Sequence, residues 1–102
     1  MHGTELMITA MVEETYLTLE QVAALCAVEP DWVLRHIEDG LLSAAKLESG
    51  DWYFSALELT RARRMVTIER NFEALPELAA LVADMQEELD SLRRQLRYFT
   101  KN

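Results

Sequence analysis

The first third of the chain has the apolar spacing of two short helices. One apolar helix face is formed by Leu19, Val22, Ala23 and Cys26, which recur at steps of three and four residues. Thr18 and Gln21 form a capping box at the start of this helix. A second helix begins at Pro30, which suits the first helical position, and ends near Gly40, which suits the left-handed position after a helix. Its inward residues are predicted to be Val33, Ile37 and either Trp32 or His36. This pattern predicts a helix-turn-helix.

The period then changes to that of strands. Residues 42–46 and 51–54 flank the turn-forming segment 48–50, and Trp52-Tyr53-Phe54 strongly favours a strand. We therefore predict a β-hairpin wing beside the helical pair. Ser55 and Glu58 form a second capping box, which opens a third helix running to about Asn71. The apolar positions of that helix cover a broad face and include Leu59, Ala62, Met65, Val66, Ile68 and Phe72. We interpret Leu6–Val12 as a short edge strand or a loose arm.

Pro76 opens a fourth helix with the most regular pattern in the chain. Unbroken steps of three and four residues join Leu75, Leu78, Val82, Met85, Leu89, Leu92, Leu96 and Phe99. This is an a/d heptad repeat, and such a seam needs a partner helix. The third helix is too short to cover all of it, so we expect a homodimer. Its contact is predicted to be formed by Leu78, Val82, Met85, Leu89, Leu92, Leu96 and Phe99.

Charge divides the chain in a similar way. The 102 residues carry a formal net charge of −8, and residues 1–59 hold eleven acids against two bases, Arg35 and Lys46. Residues 60–102 hold seven acids and eight bases. We predict a mainly α fold with an acidic winged helix-turn-helix lobe, residues 1–55, and a helical hairpin with a coiled-coil dimerisation helix, residues 56–102. An acidic lobe repels phosphates and favours a basic partner.

No group of residues predicts catalysis. The three glycines are scattered, so there is no phosphate-binding loop. Cys26 lies on an apolar helix face, where a thiol is normally inert, and it has no metal-ligand spacing to His2 or His36. We expect no enzyme activity, no metal and no cofactor. A single cysteine and the lack of a long apolar run are typical of a cytoplasmic protein, outside any membrane.

The order of elements resembles the MerR-type winged-helix fold. The resemblance is carried by residues 17–23 and 28–31, by Gly40-Leu-Leu, and by Gly50 followed by Tyr53-Phe54-Ser55. It covers roughly residues 17–72, with the last helix in the place of that family's dimerisation helix. Two DNA-gripping features of MerR regulators are replaced. Leu34 stands for an arginine of their second helix, and Asp51-Trp52 stands for a tyrosine-arginine pair of their wing.

Within this fold the chain is more similar to the CbpM family of chaperone modulators. It shares the acidic first lobe, the wing pattern Trp52-x-Phe54 and the Pro76-x-Leu78 start of the last helix. It also shares an arginine-rich third helix and the ending of residues 92–99. The resemblance covers roughly residues 18–99, and Leu75 stands where some relatives have tryptophan.

CbpM proteins bind the J-domain of a DnaJ-like co-chaperone, CbpA, and block its engagement of a DnaK-type chaperone. The resemblance implies the same activity for the acidic lobe of this chain. The partner-binding residues are predicted to be Glu29, Asp31, Trp32, Arg35, Glu38, Asp39, Glu48, Asp51 and Trp52. Trp32 and Trp52 are either aromatic anchors of that interface or part of the core, and the sequence leaves both roles open.

A second function stays open, that of a divergent MerR-like transcription regulator that contacts DNA through the third helix and the arm. The arginines of that helix are either a DNA-backbone patch or ion-pair partners of the acidic lobe of the same or the other subunit, and we favour the pairing; they are Arg61, Arg63, Arg64 and Arg70. The basic C-terminal end, Arg93, Arg94, Arg97 and Lys101, is interpreted as compensation of the helix dipole, with Asp90 paired to Arg93 and Arg94. A nucleoid-bound partner would bring the protein to the nucleoid.

Overall fold

A computed structural model of the protein describes residues 16–100. In this part of the chain the elements follow the order β1 (Leu17–Thr18), α1 (Leu19–Cys26), α2 (Pro30–Glu38), β2 (Ala45–Lys46), β3 (Trp52–Phe54), α3 (Ala56–Phe72) and α4 (Pro76–Thr100). The predicted arm at Leu6–Val12 lies outside the described residues. The chain forms two compact units, the first ending at Arg63 and the second beginning at Arg64. The division into functional lobes, residues 1–55 and 56–102, stays a prediction.

Local signals in the sequence fix the ends of α1 and α2. At the start of α1, the Thr18 hydroxyl accepts from the Gln21 N–H at 3.1 Å and the Gln21 amide oxygen accepts from the Thr18 N–H at 2.9 Å, which confirms the capping box. Pro30 is the first residue of α2, as predicted. Beyond the last residue of α2, Gly40 has a φ of +74°, a conformation that glycine adopts without strain. The helix-turn-helix prediction is therefore confirmed.

The wing is a three-stranded antiparallel sheet in the order β1-β3-β2. Ala45 pairs with Tyr53 and Lys46 with Trp52, which confirms the predicted hairpin, although its first strand is shorter than the predicted residues 42–46. Leu42, the first of these, is buried in the core instead of lying in the strand. The sequence did not predict β1, which pairs with the other edge of β3. Because β1 runs directly into α1, this pairing ties the wing to the helix-turn-helix.

The core of the first unit lies under α1, α2 and β3. α1 contacts α2, β1 and β3. The buried apolar residues of this unit are Val22, Ala23, Cys26, Val33, Leu42, Phe54 and Ala62, and His36 is buried with them. Phe54 is only 1% exposed, and burying a side chain of this size stabilises the fold by about 1.5–3 kcal/mol. Most of the inward positions predicted for the two short helices are therefore buried, whereas Leu19 and Ile37 are only half-buried.

The second capping box forms in part, because its acidic residue has another use. The Ser55 hydroxyl accepts from the Glu58 N–H at 3.2 Å, as expected at the start of α3. The Glu58 carboxylate turns away and accepts from the Ser43 N–H at 2.6 Å. Glu58 therefore fastens the segment before β2 to the start of α3, a long-range role that the local pattern does not contain.

In the second unit, α4 turns small residues inward and large ones outward. The buried residues of this unit are Met65, Val66, Ile68, Ala79, Ala80 and Ala83. The predicted a/d seam lies on another side of α4 and is mostly exposed, with Leu78 at 52% and Leu96 at 64%. Most of the broad apolar face predicted for α3 is buried or half-buried, whereas Phe72, the last residue of the helix, is 75% exposed. Helical spacing gives the side of the helix on which a residue lies, but it does not tell how far along the helix other residues cover that side.

Candidate partner-binding surface

The exposed face of α2 is acidic. Asp31, Arg35 and Glu38 are spaced i, i+4 and i+7, so they lie along one side of the helix, and all three are exposed. The Arg35 Nε–H donates to the carbonyl oxygen of Asp31 at 3.4 Å. The side chain of this lone cation of α2 therefore lies along its own helix. Glu29 at the start of the helix and Asp39 at its end are also exposed. Four carboxylates and one guanidinium thus give this face a net negative charge.

Trp32 is half-buried beside the acidic face. Its ring stacks on the His36 imidazole, with centroids 3.6 Å apart and an angle of 23° between the planes. His36 Nδ1 lies 2.7 Å from the Trp32 carbonyl oxygen, so an N–H at this position donates to it. The buried His36 therefore supports one face of the indole, and the rest of the ring remains partly open to solvent. This half-burial agrees with either predicted role of Trp32, core residue or surface anchor, and the choice between them stays a prediction.

Trp52 is also half-buried, on the wing. Lys46 is its direct cross-strand partner, and the Lys46 ammonium lies 5.0 Å from the centre of the indole ring. This distance is within the range of a cation–π interaction. The two predicted acids of the wing, Glu48 and Asp51, are exposed on either side of the hairpin turn. Both predicted anchors are thus half-buried, each with acids nearby in sequence.

A groove beside Trp52 contains one acid that the sequence analysis missed. It lies between the start of α1 and the wing and has a volume of about 300 Å³. The lining residues are Thr18, Leu19, Glu20, Gly50, Asp51, Trp52 and Tyr53. The sequence pattern places Glu20 only within the capping segment of α1. Its position in the groove with Asp51 depends on strand β1, which the sequence did not predict. β1 has only two residues, too few for an alternating pattern, so the sequence contained no signal for this position of Glu20.

Two arginines of α3 have contacts inside their own units, and pairing of this helix with the acidic lobe stays a prediction. The Arg61 Nε–H donates to the carbonyl oxygen of Leu41 at 2.8 Å. Arg64 pairs with Asp90 of α4 at 2.6 Å. The predicted local partner of Asp90, Arg93, is farther away, at 3.9 Å. The hydrogen bond from Arg64, which is the largest cause, and the charges of Arg64, Arg93 and Arg94 lower the pKa of the Asp90 carboxyl.

Metal sites and membrane-spanning helices are two features that residues 16–100, the described part of the chain, do not contain. No cluster of histidine, cysteine or acidic side chains in this range could hold a metal ion. No helix in the same range is long and apolar enough to cross a membrane.

The chain was also compared with known proteins. The sequence profile of the family described as MerR HTH family regulatory protein matches residues 17–101. No curated protein and no solved structure matches the chain. The family match begins at β1 and runs through the helix-turn-helix, the wing and both long helices. Since it spans most of the sequence and agrees with the observed fold, the chain belongs to the MerR HTH family of regulatory proteins.

Proposed function

We propose that this protein is a chaperone modulator that binds the J-domain of a DnaJ-like co-chaperone and inhibits it. The proposal rests on the charge of α2. In a helix-turn-helix the second helix is the one that enters the DNA groove, and here its exposed side carries Asp31 and Glu38 around the restrained Arg35. Contact with DNA normally requires cations and hydrogen-bond donors facing the phosphates. This helix offers the opposite charge.

A J-domain supplies the complementary surface. As the resemblance to the CbpM family implies, its second helix is basic and ends at the loop that engages a DnaK-type chaperone. An acidic protein lying over that helix would block the engagement. Complementary charge would speed the encounter of the two proteins, and partly exposed aromatic residues would supply most of the affinity. Trp32 and Trp52 fit the second requirement because each is half-buried and keeps part of its ring accessible.

The proposed interface keeps the predicted residues, with roles that follow from their exposure. Trp32 and Trp52 act as anchors, and the charged rim consists of Glu29, Asp31, Arg35, Glu38, Asp39, Glu48 and Asp51. An exposed ion pair contributes about 0.2–1 kcal/mol. Single rim substitutions should therefore change association modestly, and substitutions at the anchors should cost more.

We also propose that the protein is a homodimer. The apolar stripe of α4, defined as Leu75, Leu78, Val82, Met85, Leu89, Leu92, Leu96 and Phe99, is exposed over most of its length in a single chain. An apolar surface of this extent on a small protein is typical of an interface. Heptad spacing favours a helix of the same kind as its cover, and a second copy of α4 supplies one.

A second candidate function is DNA binding as a transcription regulator. It is favoured by the family match and by Arg63 and Arg70, which are exposed on α3. On this alternative the phosphate contacts would come from α3, while the acidic side of α2 would lie away from the DNA.

Titration calorimetry of the purified protein with an isolated J-domain tests the first proposal against the second. We expect binding that weakens as salt is raised. Reversing two rim charges, with Glu38→Lys and Asp39→Lys, should weaken the complex at least tenfold, because two attractive charges become repulsive. Glu73→Lys with Glu77→Lys is the matched control, since both residues are exposed and belong to the second unit. It makes the same net change of charge and should have little effect.

Two results would contradict the proposal. One is the absence of binding to the J-domain by the folded wild-type protein. The other is an equal effect of the test and control reversals, which would show that only overall charge matters. Fluorescence anisotropy with DNA from the region upstream of the gene addresses the second candidate. Tighter DNA binding by the Glu38→Lys/Asp39→Lys variant would favour the regulator.

A further inference from the structure

The groove between α1 and the wing is built by strand pairing. Thr18 is paired with Tyr53 across β1 and β3, and the chain enters α1 at the next residue. Trp52 and Asp51 precede Tyr53 on the opposite strand. Leu19 and Glu20 therefore line the same groove as Trp52 and Asp51. Thr18 is also fixed at the start of α1 by the two hydrogen bonds of its capping box. The groove is thus bounded by a paired strand and a capped helix end, and both restrict the motion of the residues that line it.

The lining of the groove is acidic and aromatic. Glu20 and Asp51 are exposed, while Trp52 and Tyr53 are half-buried. One oxygen of Asp51, Oδ2, accepts from the Ser49 hydroxyl at 3.1 Å, which holds the carboxylate within the turn of the wing. Two carboxylates beside aromatic rings repel a phosphate or a carboxylate. They suit a cationic group on an apolar stem, whose charge meets the acids while the stem packs on the rings.

The wing already holds one cation on this aromatic ring. The Lys46 ammonium lies 5.0 Å from the centre of the Trp52 ring, so the indole accepts a cation–π contact in the free protein. A groove of about 300 Å³ is at the lower end of the range for small-molecule sites. This size fits one long side chain of a bound protein better than a nucleotide.

We propose that this groove receives a lysine or arginine side chain from the basic helix of the partner. The assignment rests on the proposed function, because it takes the J-domain as the source of that side chain. Glu20 and Asp51 neutralise the incoming charge, and the Trp52 ring packs against the methylene groups. Glu20 thereby becomes a partner-binding residue, and the contact extends from α2 to the start of α1.

The test combines calorimetry with the NMR signals of the two tryptophans. Glu20→Gln with Asp51→Asn removes both charges while keeping the side-chain shapes, and Glu73→Gln with Glu77→Gln is the matched control. We expect the groove variant to bind the J-domain about tenfold more weakly than the control. The indole N–H signals of Trp32 and Trp52, assigned with Trp52→Phe, report which ring is contacted. The Trp52 signal should move on addition of the J-domain.

Three outcomes distinguish a failure of the groove proposal from a failure of the proposed J-domain binding. A weaker groove variant together with a moving Trp52 signal supports the assignment. Wild-type binding that the groove variant leaves at the level of the control, or that moves only the Trp32 signal, overturns the groove and leaves J-domain binding intact. No binding by the wild type overturns both. Thermal unfolding of each variant, monitored by circular dichroism, verifies that the substitutions leave the fold unchanged.

Discussion

Ala27 closes α1 in a conformation that its side chain disfavours. Its backbone is left-handed, with φ +56° and ψ +47°, and its N–H donates to the carbonyl of Ala24 at 3.1 Å. The next N–H, of Val28, donates to the carbonyl of Ala23 at 3.0 Å. Glycine is the usual residue at such a helix end, because a Cβ in this region costs about 1–2 kcal/mol. The turn between α1 and α2 therefore contains a small amount of strain.

Ala27→Gly should stabilise the protein. It removes the strain of the Cβ and adds about 0.5–1 kcal/mol of chain entropy to the unfolded state, which leaves a net gain of about 0.5–1 kcal/mol. Urea unfolding measures the change. Ala24→Gly, at an exposed position inside α1, is the matched control and should lose about 1 kcal/mol, because glycine is unfavourable within a helix. Equal losses at both positions would contradict this account of the turn.

The ion pair of Arg64 with Asp90 should make stability depend on pH. The hydrogen bond from Arg64 lowers the pKa of Asp90 in the folded protein. Its stabilising contribution is therefore present above the ordinary aspartate pKa and is lost as the pH falls through the lowered folded pKa. We expect Asp90→Asn to be less stable than wild type at about pH 7, with the difference shrinking under acid conditions. Urea unfolding across the acid range measures it.

A double-mutant cycle provides the control for the ion pair. Arg64→Met removes the main cause of the lowered pKa and should remove the same part of the pH dependence. Adding Asp90→Asn to Arg64→Met should then change the acid profile little, because the pair is already broken. Fully additive effects of the two substitutions would mean that the pair does not couple.

The sequence predicted side-chain hydrogen bonds and ion pairs correctly only where the two partners lie within a few residues of each other and no distant partner competes. The Thr18 and Gln21 capping box is contained in four consecutive residues, and it forms as predicted. Glu58 has the same local pattern with Ser55, yet its carboxylate binds a backbone N–H fifteen residues earlier. Likewise, Asp90 meets Arg64 more closely than Arg93. Such choices depend on which elements the fold brings together, and a one-dimensional pattern does not contain that information.

At the scale of elements, the helices were predictable and the sheet was predictable only in part. Capping residues, proline and glycine bound α1, α2 and α4 where the sequence indicated. β1 has only two residues, Leu17 and Thr18, which is too short for any alternation to show. It exists because β3 offers a free edge at that point. The groove at Trp52 depends on this strand, so the candidate site was only half predictable.

The two sides of α4 illustrate the same limit. The periodicity of the sequence is dominated by the large apolar side chains of the stripe. The buried side of the helix consists instead of Ala79, Ala80 and Ala83. Alanine contributes little apolar area, so it adds little to a periodicity signal, but its small size allows close packing. The heptad therefore stays a prediction of a contact between helices, and the sequence did not indicate the alanine side that packs within the chain.

The charge along α4 leads to a prediction about how two copies pair. Residues 76–88 hold four acids and no lysine or arginine, and residues 89–100 hold one acid and three arginines. An antiparallel pair lays each acidic half beside a basic half, whereas a parallel pair places like charges together. We therefore expect the two α4 helices of a dimer to be antiparallel, centred near residue 87.

Disulfide crosslinking distinguishes the two orientations. In a Cys26→Ser background, Leu96→Cys alone should not crosslink, because two antiparallel copies place these residues about 27 Å apart and a disulfide needs Cα atoms within about 7 Å. Adding Leu78→Cys should produce a crosslinked dimer, since Leu78 then faces Leu96 of the second copy. Efficient crosslinking of Leu96→Cys by itself would indicate a parallel dimer.

At the scale of the whole molecule, the two proposed interfaces rest on different physics. The first unit carries most of the acidic excess, and the second presents the apolar stripe. Charge attraction between exposed groups is screened by salt, with a Debye length of about 10 Å at 0.1 M and about 3 Å at 1 M. Burial of apolar surface is not screened in this way. One protein should therefore respond to salt differently at its two surfaces.

Raising the salt concentration should slow binding of the J-domain while leaving the dimer intact. We expect the association rate to fall at least tenfold between about 0.05 M and 0.5 M salt, with a smaller change in dissociation, because steering by charge acts on the encounter. Stopped-flow fluorescence of the tryptophans measures the rate, and sedimentation follows the dimer in the same buffers. The Glu38→Lys/Asp39→Lys variant should associate slowly at low salt, and its rate should be nearly insensitive to added salt.

A wild-type association rate that does not depend on salt would leave the acidic face of α2 without a role in recognition. Loss of the dimer at high salt would instead mean that charge, and not the apolar stripe, holds the two copies together.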